Sequence, residues 1–326
     1  MLIDEKIFKG EVDVRYLFKR SSSENRKLVI VFSAFPPINT KPKFNYINTL
    51  EGLDTNKLYI LDDFGCRASY YLCEDKDYKI ENTVIKLINK IVQENNINHI
   101  ISSGSSKGGY AALYYGIKYG FNSIIAASPQ FLLGNYLLKE TNTTNVAKFI
   151  SGNIQSADMK FLNEILFNTI NSSEYRPSIY IHVGEGEDHY QLHVKPLLEC
   201  LNSNSIPYYL DLGNYSNHSD VSKFFPTYFR KIVCSNLGLP YINEVLYKQE
   251  ECQLYKKVRF KIGASDNAIS YAWYVYKDKD IVYKRSYSKE NFFDYQFIQK
   301  GTYKFKVFAI NSERIKTTLV SKKIEV

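Results

Sequence analysis

The pentapeptide Gly104-Ser105-Ser106-Lys107-Gly108 lies between an apolar stretch, residues 98–103, and a run of small and apolar residues that begins at Gly109. It places Ser106 in a Gly-x-Ser-x-Gly frame where a predicted strand turns into a predicted helix. Such a turn holds the serine in a strained, exposed backbone conformation, and the flanking glycines are needed because larger side chains would collide with the strand or the helix. The segment therefore predicts a nucleophilic serine.

Phosphate binding by the same loop does not fit its residues. A Walker-type loop needs Gly-Lys followed by Ser or Thr, whereas here Lys107 precedes Gly108. The sequence also contains no Gly-x-Gly-x-x-Gly segment. Neither common nucleotide-binding loop is therefore predicted.

A nucleophilic serine of this kind needs an acid and a base further along the chain, each in a loop that follows a strand. Residues 178–184 predict a strand that runs into the carboxylate-rich segment 185–190, and residues 208–212 predict a last strand followed by a loop containing His218. Because sites in open α/β sheets form at the carboxyl ends of the strands, the three loops can converge. We predict that Ser106 is the nucleophile and His218 the base.

The acid must hold the imidazole in one tautomer and stabilise the imidazolium that forms during the reaction. Glu187 lies three residues after Gly184 and is favoured, but Asp188 is adjacent and Glu185 is near. The sequence therefore leaves Glu187 and Asp188 as the two candidate acids. His189 also neighbours the acid, and it could either bind substrate or cap the following helix.

Acyl transfer also needs an oxyanion hole of backbone N–H groups. The N–H of Lys107, directly after the nucleophile, is one predicted donor. The apolar strand at residues 27–35 ends abruptly before Pro36-Pro37, and since proline has no N–H, Ala34 or Phe35 is the predicted second donor. The alternative is that the two prolines only end the strand.

Strands and helices alternate through the first 235 residues, which predicts an α/β fold with a mostly parallel sheet, of the α/β-hydrolase type. Residues 130–173 have no strand pattern and predict a helical insertion that acts as a lid. Beyond residue 243 only short alternating strands follow, which predict an all-β sandwich of immunoglobulin or fibronectin type with Trp273 in its core. The predicted domains are 1–243 and 244–326. The sandwich could bind glycan or a partner, or be a structural appendage.

Several segments together resemble bacterial capsular polysaccharide biosynthesis proteins of the XcbB/CpsF type, and more distantly accessory-secretion proteins with the same hydrolase core. They cover roughly residues 15 to 235, and the most specific are Asp62-Asp63-Phe64-Gly65 and Gly104-Ser105-Ser106-Lys107-Gly108-Gly109. Residues 31–35, 70–72 and 128–130 complete the resemblance. It implies an α/β-hydrolase fold and work on surface glycans.

Composition limits the remaining function classes. The net charge of +8 is spread along the 326 residues, which argues against nucleic acid and is compatible with an anionic glycan. The five cysteines are scattered without metal-ligand spacing, so we expect free thiols and no metal site. The start lacks the apolar segment of a signal peptide, and no run is long enough for a membrane helix. These features predict a cytoplasmic protein without a transmembrane segment.

The predicted function is serine-dependent acyl transfer on a carbohydrate in surface or capsular polysaccharide synthesis, by an O-acetyltransferase or an O-acetyl esterase. No metal or redox cofactor is implied, and acetyl-CoA is a conditional acyl donor. A glycan or a small acyl ester is the expected substrate, with polysaccharide-assembly proteins as candidate partners. The alternatives are another ester or thioester hydrolase, and a catalytically inactive hydrolase-fold scaffold in a glycan-assembly complex. The sequence does not decide between transferase and hydrolase, nor the oligomeric state.

Overall fold

The computed structural model describes residues 4–36, 40–252, 255–264 and 267–326. The chain divides into two compact units. The first, called here the α/β unit, comprises Met1–Ile47 and Thr55–Tyr228, and the second, the β unit, comprises Asn48–Asp54 and Phe229–Val326.

One eight-stranded sheet forms the centre of the α/β unit, with the strand order β1-β2-β4-β3-β5-β6-β7-β8. Strand β2 pairs antiparallel with β1 and β4, and every pair from β4 through β8 is parallel. The predicted, mostly parallel hydrolase-type sheet is thus confirmed. The strands are β1 (Glu5–Lys9), β2 (Asp13–Lys19), β3 (Lys27–Phe32), β4 (Asn56–Ile60), β5 (His99–Ser105), β6 (Ser123–Ala127), β7 (Ser178–Gly184) and β8 (Tyr208–Gly213).

The helices of this region differ in how much of their surface is buried: α1 (Lys79–Glu94) buries one apolar stripe, whereas α2 (Lys107–Lys118) is buried from Lys107 to Ile117. In α1, Val84, Leu87, Ile88 and Ile91 recur at the helical period and are buried. The helices are α1 (Lys79–Glu94), α2 (Lys107–Lys118), α3 (Leu133–Asn135) with a π-helical turn at Tyr136–Glu140, α4 (Thr144–Ser151), α5 (Ser156–Ser172), a π-helical turn at Tyr190–Val194, α6 (Lys195–Ser203), and a 3₁₀ turn at His218–Asp220 that leads into α7 (Val221–Leu237).

Helix α2 packs closely on the sheet because glycine occupies the contact positions. A Cβ on Gly108 would lie 2.4 Å from the backbone oxygen of Phe32 in β3, and a Cβ on Gly104 would lie 2.4 Å from the backbone oxygen of Gly108. Any larger residue would push the helix away from β3 and β5. The glycines of the pentapeptide therefore bring the start of α2 against the strand ends.

The segment from residue 130 to residue 173 contains helices and no strand, which confirms the predicted helical insertion. Its first residues come directly after β6, at the carboxyl edge of the sheet. The insertion therefore delivers side chains to the same edge as the ends of β5, β7 and β8.

The β unit contains a three-stranded antiparallel sheet in the order β13-β10-β9 and a second antiparallel sheet in the order β12-β11-β14-β15, with β16 paired to β14. Alternate residues of the two sheets form one apolar core, in which Trp273 is fully buried. This confirms the predicted C-terminal sandwich. Its strands are β9 (Ile242–Cys252), β10 (Tyr255–Ala264), β11 (Ser270–Lys277), β12 (Asp280–Ser288), β13 (Phe292–Gln296), β14 (Thr302–Ile310), β15 (Lys316–Val320) and β16 (Ile324–Glu325).

Two further predictions concern cysteines and membranes. Among the described side chains, Cys66, Cys73, Cys200 and Cys234 are free thiols, while the side chain of Cys252 lies outside the described part. A search of the described residues finds no helix with the length and apolar character needed to cross a membrane.

Candidate active site

Ser106 sits at the sharp turn between β5 and α2. Its φ of 51° and ψ of −118° lie in a region that residues other than glycine rarely adopt, as expected for a nucleophile at a strand-to-helix turn. The Ser106 N–H donates to the carbonyl of Ala127 at 2.8 Å, and its own carbonyl accepts the Tyr110 N–H at 2.9 Å. These bonds to the end of β6 and the first turn of α2 hold the strained conformation in place.

The structure brings Ser106, His218 and Glu187 together in one hydrogen-bonded chain. His218 Nε2 lies 3.0 Å from Ser106 Oγ, and His218 Nδ1 lies 2.7 Å from Glu187 Oε1. The three residues follow β5, β8 and β7 respectively, so their convergence is a consequence of the parallel sheet. This is the arrangement in which an imidazole takes a proton from a serine while a carboxylate holds its other nitrogen.

The position of Glu187 separates it from the neighbouring acids. It is buried and accepts hydrogen bonds from Ser128 Oγ at 2.7 Å and from the Gly184 N–H at 2.8 Å, whereas Asp188 and Glu185 are exposed. Burial by itself would raise the pKa of Glu187, but the hydrogen bonds from His218, Ser128 and Gly184 outweigh it and lower that pKa. Glu187 is therefore held as a carboxylate against His218.

The candidate oxyanion donors differ in what their N–H groups already bind. Lys107 begins α2, where an N–H has no partner within the helix, and among the described residues its N–H makes no hydrogen bond. The Ala34 N–H, in contrast, donates to Asn45 Oδ1 at 2.9 Å. Its single proton is thus engaged, which argues against the prediction of Ala34. Phe35, whose N–H is unbonded within the described residues, is the better second candidate beside Lys107.

Gln130 is a site residue that the sequence reasoning did not assign. Its side-chain Nε2 lies 3.0 Å from Ser106 Oγ and 3.0 Å from His189 Nε2, and the residue is fully buried. With the amide oriented this way, Gln130 donates both protons, so His189 Nε2 accepts and the His189 proton resides on Nδ1. The signal available in the sequence was its position just after β6, at the same sheet edge as the other loops.

His189 packs face to face on His218, with ring centroids 4.0 Å apart and planes 13° from parallel. The ring of Tyr136 packs edge-on against His189 at 5.4 Å, and the Tyr136 hydroxyl interacts with Ser106. Burial, reinforced by the neighbouring His218 and His193 rings, lowers the pKa of His189 to about 3. A neutral His189 therefore covers one face of the His218 imidazole and accepts a hydrogen bond from Gln130.

Glu187, His189 and His218 present ligand atoms within 4.8 Å of one another and are thus the set of described residues that could hold a metal ion. These ligand atoms already make hydrogen bonds within the protein. His218 Nδ1 is hydrogen-bonded to Glu187, and His189 Nε2 is hydrogen-bonded to Gln130. The absence of a metal remains a prediction.

Comparison with known proteins places the fold. Residues 262–326 match the Y_Y_Y domain family, and the sequence matches no curated protein. Among solved structures, the capsule O-acetyltransferase of Neisseria meningitidis serogroup A is 25% identical with a TM-score of 0.59, covering 71% of this chain and 94% of that chain. A second structure of that acetyltransferase, an alanine variant in complex with CoA, is 23% identical and has a TM-score of 0.59, covering 70% of this chain and 94% of that one.

A fluorophosphonate-binding serine hydrolase, FphF of Staphylococcus aureus, is 11% identical, with a TM-score of 0.55 and coverage of 72% of this chain and 97% of that one. Similarity at this level shows the fold alone. The XcbB/CpsF assignment stays a prediction. The chain has an α/β-hydrolase-like fold followed by a C-terminal Y_Y_Y domain, and its similarity to an O-acetyltransferase supports an acyl-transfer or esterase role.

Proposed function

We propose that this protein transfers an acetyl group to a hydroxyl of a surface polysaccharide, with Ser106 as the nucleophile. The observation that carries the proposal is the continuous chain from Ser106 Oγ through His218 to the buried Glu187, at 3.0 Å and 2.7 Å. The similarity to a capsule O-acetyltransferase supports the choice of acyl group and of acceptor.

In the first half-reaction, Ser106 Oγ attacks the carbonyl carbon of the acyl donor while its proton passes to His218 Nε2. The oxygen of the tetrahedral intermediate accepts hydrogen bonds from the N–H groups of Lys107 and Phe35. The carbon–sulfur bond of acetyl-CoA then breaks, and the CoA thiol leaves with the proton from His218. An acetyl ester of Ser106 remains. Acetyl-CoA is proposed as the donor because the Neisseria acetyltransferase is seen in complex with CoA.

In the second half-reaction, a sugar hydroxyl attacks the acetyl ester and gives its proton to His218. The bond between the acyl carbon and Ser106 Oγ breaks, and the serine recovers its proton from His218. The products are an O-acetylated sugar and the free enzyme. If water replaces the sugar hydroxyl, the same residues perform hydrolysis, so exclusion of water decides between transferase and esterase.

Labelling with a fluorophosphonate probe tests the nucleophile. We expect one modified residue, Ser106, and no labelling of the Ser106→Ala variant. Ser105→Ala is the matched control, because Ser105 is adjacent but its Oγ accepts a hydrogen bond from the Tyr46 hydroxyl at 2.6 Å. Unchanged labelling of Ser106→Ala would exclude Ser106, and an unlabelled, inactive wild-type protein would favour the scaffold alternative.

The acceptor is tested by incubating protein that reacts with the fluorophosphonate probe with radiolabelled acetyl-CoA, with and without a bacterial capsular polysaccharide. A transferase moves the label to the polysaccharide faster than it releases acetate. Acetate release at the same rate with and without polysaccharide would identify a hydrolase instead.

A further inference from the structure

We infer that a buried ion pair between Asp62 and Lys107 positions both donors of the oxyanion hole, the N–H groups of Lys107 and Phe35. The two paired side chains thereby control turnover without touching the substrate. The pair joins the two segments that are most specific for the family resemblance described above, Asp62-Asp63-Phe64-Gly65 and Gly104-Ser105-Ser106-Lys107-Gly108-Gly109. This inference rests on the proposed acyl transfer at Ser106.

The ion pair is fully enclosed, and both of its side chains make further contacts. Lys107 Nζ lies 2.8 Å from Asp62 Oδ2, and both side chains have 0% exposure. Lys107 Nζ also lies 3.4 Å from Ser33 Oγ and 4.6 Å from the centre of the Tyr71 ring. Asp62 Oδ1 accepts hydrogen bonds from the Ser69 N–H at 2.9 Å and from Ser69 Oγ at 3.0 Å.

These contacts connect the ion pair to the backbone on both sides of the oxyanion hole. On one side, the Lys107 N–H is itself a donor, and its side chain fixes the first turn of α2. On the other side, Ser33 precedes Phe35 by two residues, and its N–H donates to the Tyr71 hydroxyl at 2.7 Å. The Tyr71 hydroxyl in turn donates to the Ile60 carbonyl at 2.8 Å, at the end of β4.

The loop that carries Tyr71 is itself strained and acts on Phe35. Tyr70 and Tyr71 have φ of 57° and 58°, in the left-handed region that favours glycine. Tyr70 packs edge-on against the Phe35 ring, with centroids 5.6 Å apart. The Ser69 bonds to Asp62 begin this loop, so loss of the ion pair would release the support under Phe35 as well as under Lys107.

Stability alone does not account for a charged pair at this place. Apolar residues of similar volume often stabilise a protein as well as a buried ion pair does, whereas removal of one partner leaves an uncompensated charge. Lys107 is the residue after the nucleophile, where an error of about 1 Å in a donor is costly for the rate. A fixed geometry is what this network adds over an apolar core.

The test compares Lys107→Met, Asp62→Asn and the double variant with the wild type, using an acetyl ester substrate, its thionoester analogue and the fluorophosphonate probe. We expect Lys107→Met to lower kcat and the rate of Ser106 labelling roughly 10- to 100-fold, with KM changed by less than about threefold, because the lost interaction matters in the transition state. The preference for the oxygen ester should shrink, since sulfur is a poorer acceptor in the oxyanion hole.

The double variant separates positioning from folding. Lys107→Met alone should lower Tm by about 10 °C, because it leaves Asp62 buried without its partner. The double variant should recover most of Tm but not kcat. Lys118→Met is the matched control, because Lys118 lies in the last turn of the same helix and pairs with the buried Glu81 at 2.6 Å; it should leave the ester preference unchanged.

Two results would overturn the inference while leaving the proposed function intact. One is that Lys107→Met is labelled and turns over substrate at the rates of the wild type. The other is that the double variant recovers kcat together with Tm. A wild-type protein that the probe does not label at Ser106 would instead refute the proposed function, and the positioning role with it.

Discussion

Acidification should destabilise the α/β unit through His189. The pKa of a histidine in the unfolded chain is about 6.5, whereas burial and the adjacent His218 and His193 lower the pKa of His189 to about 3 in the folded protein. At pH values between these two pKa values the unfolded chain therefore binds a proton that the folded protein does not bind. The contribution of His189 to the free energy of unfolding is complete above pH 6.5 and is lost as the pH falls towards 3.

The size of the effect follows from these two pKa values. One pH unit is worth about 1.4 kcal/mol, so His189 alone should remove about 2 kcal/mol between pH 6.5 and pH 5, and about 5 kcal/mol by pH 3. His189→Gln should be less stable than the wild type at pH 7.5 because it loses the contact with the His218 ring. That difference should shrink by about 2 kcal/mol at pH 5, since glutamine does not titrate.

The assay is urea unfolding at several pH values between 7.5 and 5, followed by two signals. Circular dichroism at 222 nm reports the helices, which lie mainly in the α/β unit, and fluorescence reports Trp273, the single tryptophan, in the β unit. The pH-dependent difference between His189→Gln and the wild type should appear in the transition followed by circular dichroism, and the fluorescence signal shows whether the β unit unfolds with it. A difference that stays constant from pH 7.5 to pH 5 would refute the argument that His189 is held neutral by burial.

Three further results are expected. Glu187→Gln should lower kcat by about 10³-fold or more with little change in KM, because Glu187 is the acid hydrogen-bonded to His218. The kcat of Asp188→Asn should stay near that of the wild type, and the reverse order in steady-state kinetics would transfer the role to Asp188. Gln130→Leu should lower kcat on a small ester by about tenfold because it removes the donor that orients the Ser106 hydroxyl, and a rate equal to that of the wild type would contradict this assignment. A chain that ends near Asn243 should keep probe labelling at Ser106 if the predicted domain boundary is correct, and its complete unfolding by circular dichroism would show that the two predicted domains do not fold separately.

The sequence by itself determined the fold class and the loops that carry the site. Hydrophobic periodicity is a local property, so the strands at Ser178–Gly184 and Tyr208–Gly213 were predicted within one or two residues. The chain order of serine, acid and histidine then located Ser106 and His218. The short edge strand at Glu5–Lys9 was missed because its residues are mostly exposed and show no clear apolar alternation.

Only the tertiary structure decided which side chains meet at the sheet edge. Glu187 and Asp188 are adjacent, and the direction of each side chain after β7 determines which one reaches His218. Ala34 is a worse oxyanion donor than its position suggests because Asn45, 11 residues away, uses its N–H.

The contacts of Gln130 and Lys107 are of the same long-range kind. Gln130 reaches Ser106 across 24 residues, and Lys107 pairs with Asp62 across 45 residues. No local pattern encodes such contacts, because they exist only once parallel strands distant in the chain are aligned with their carboxyl ends together.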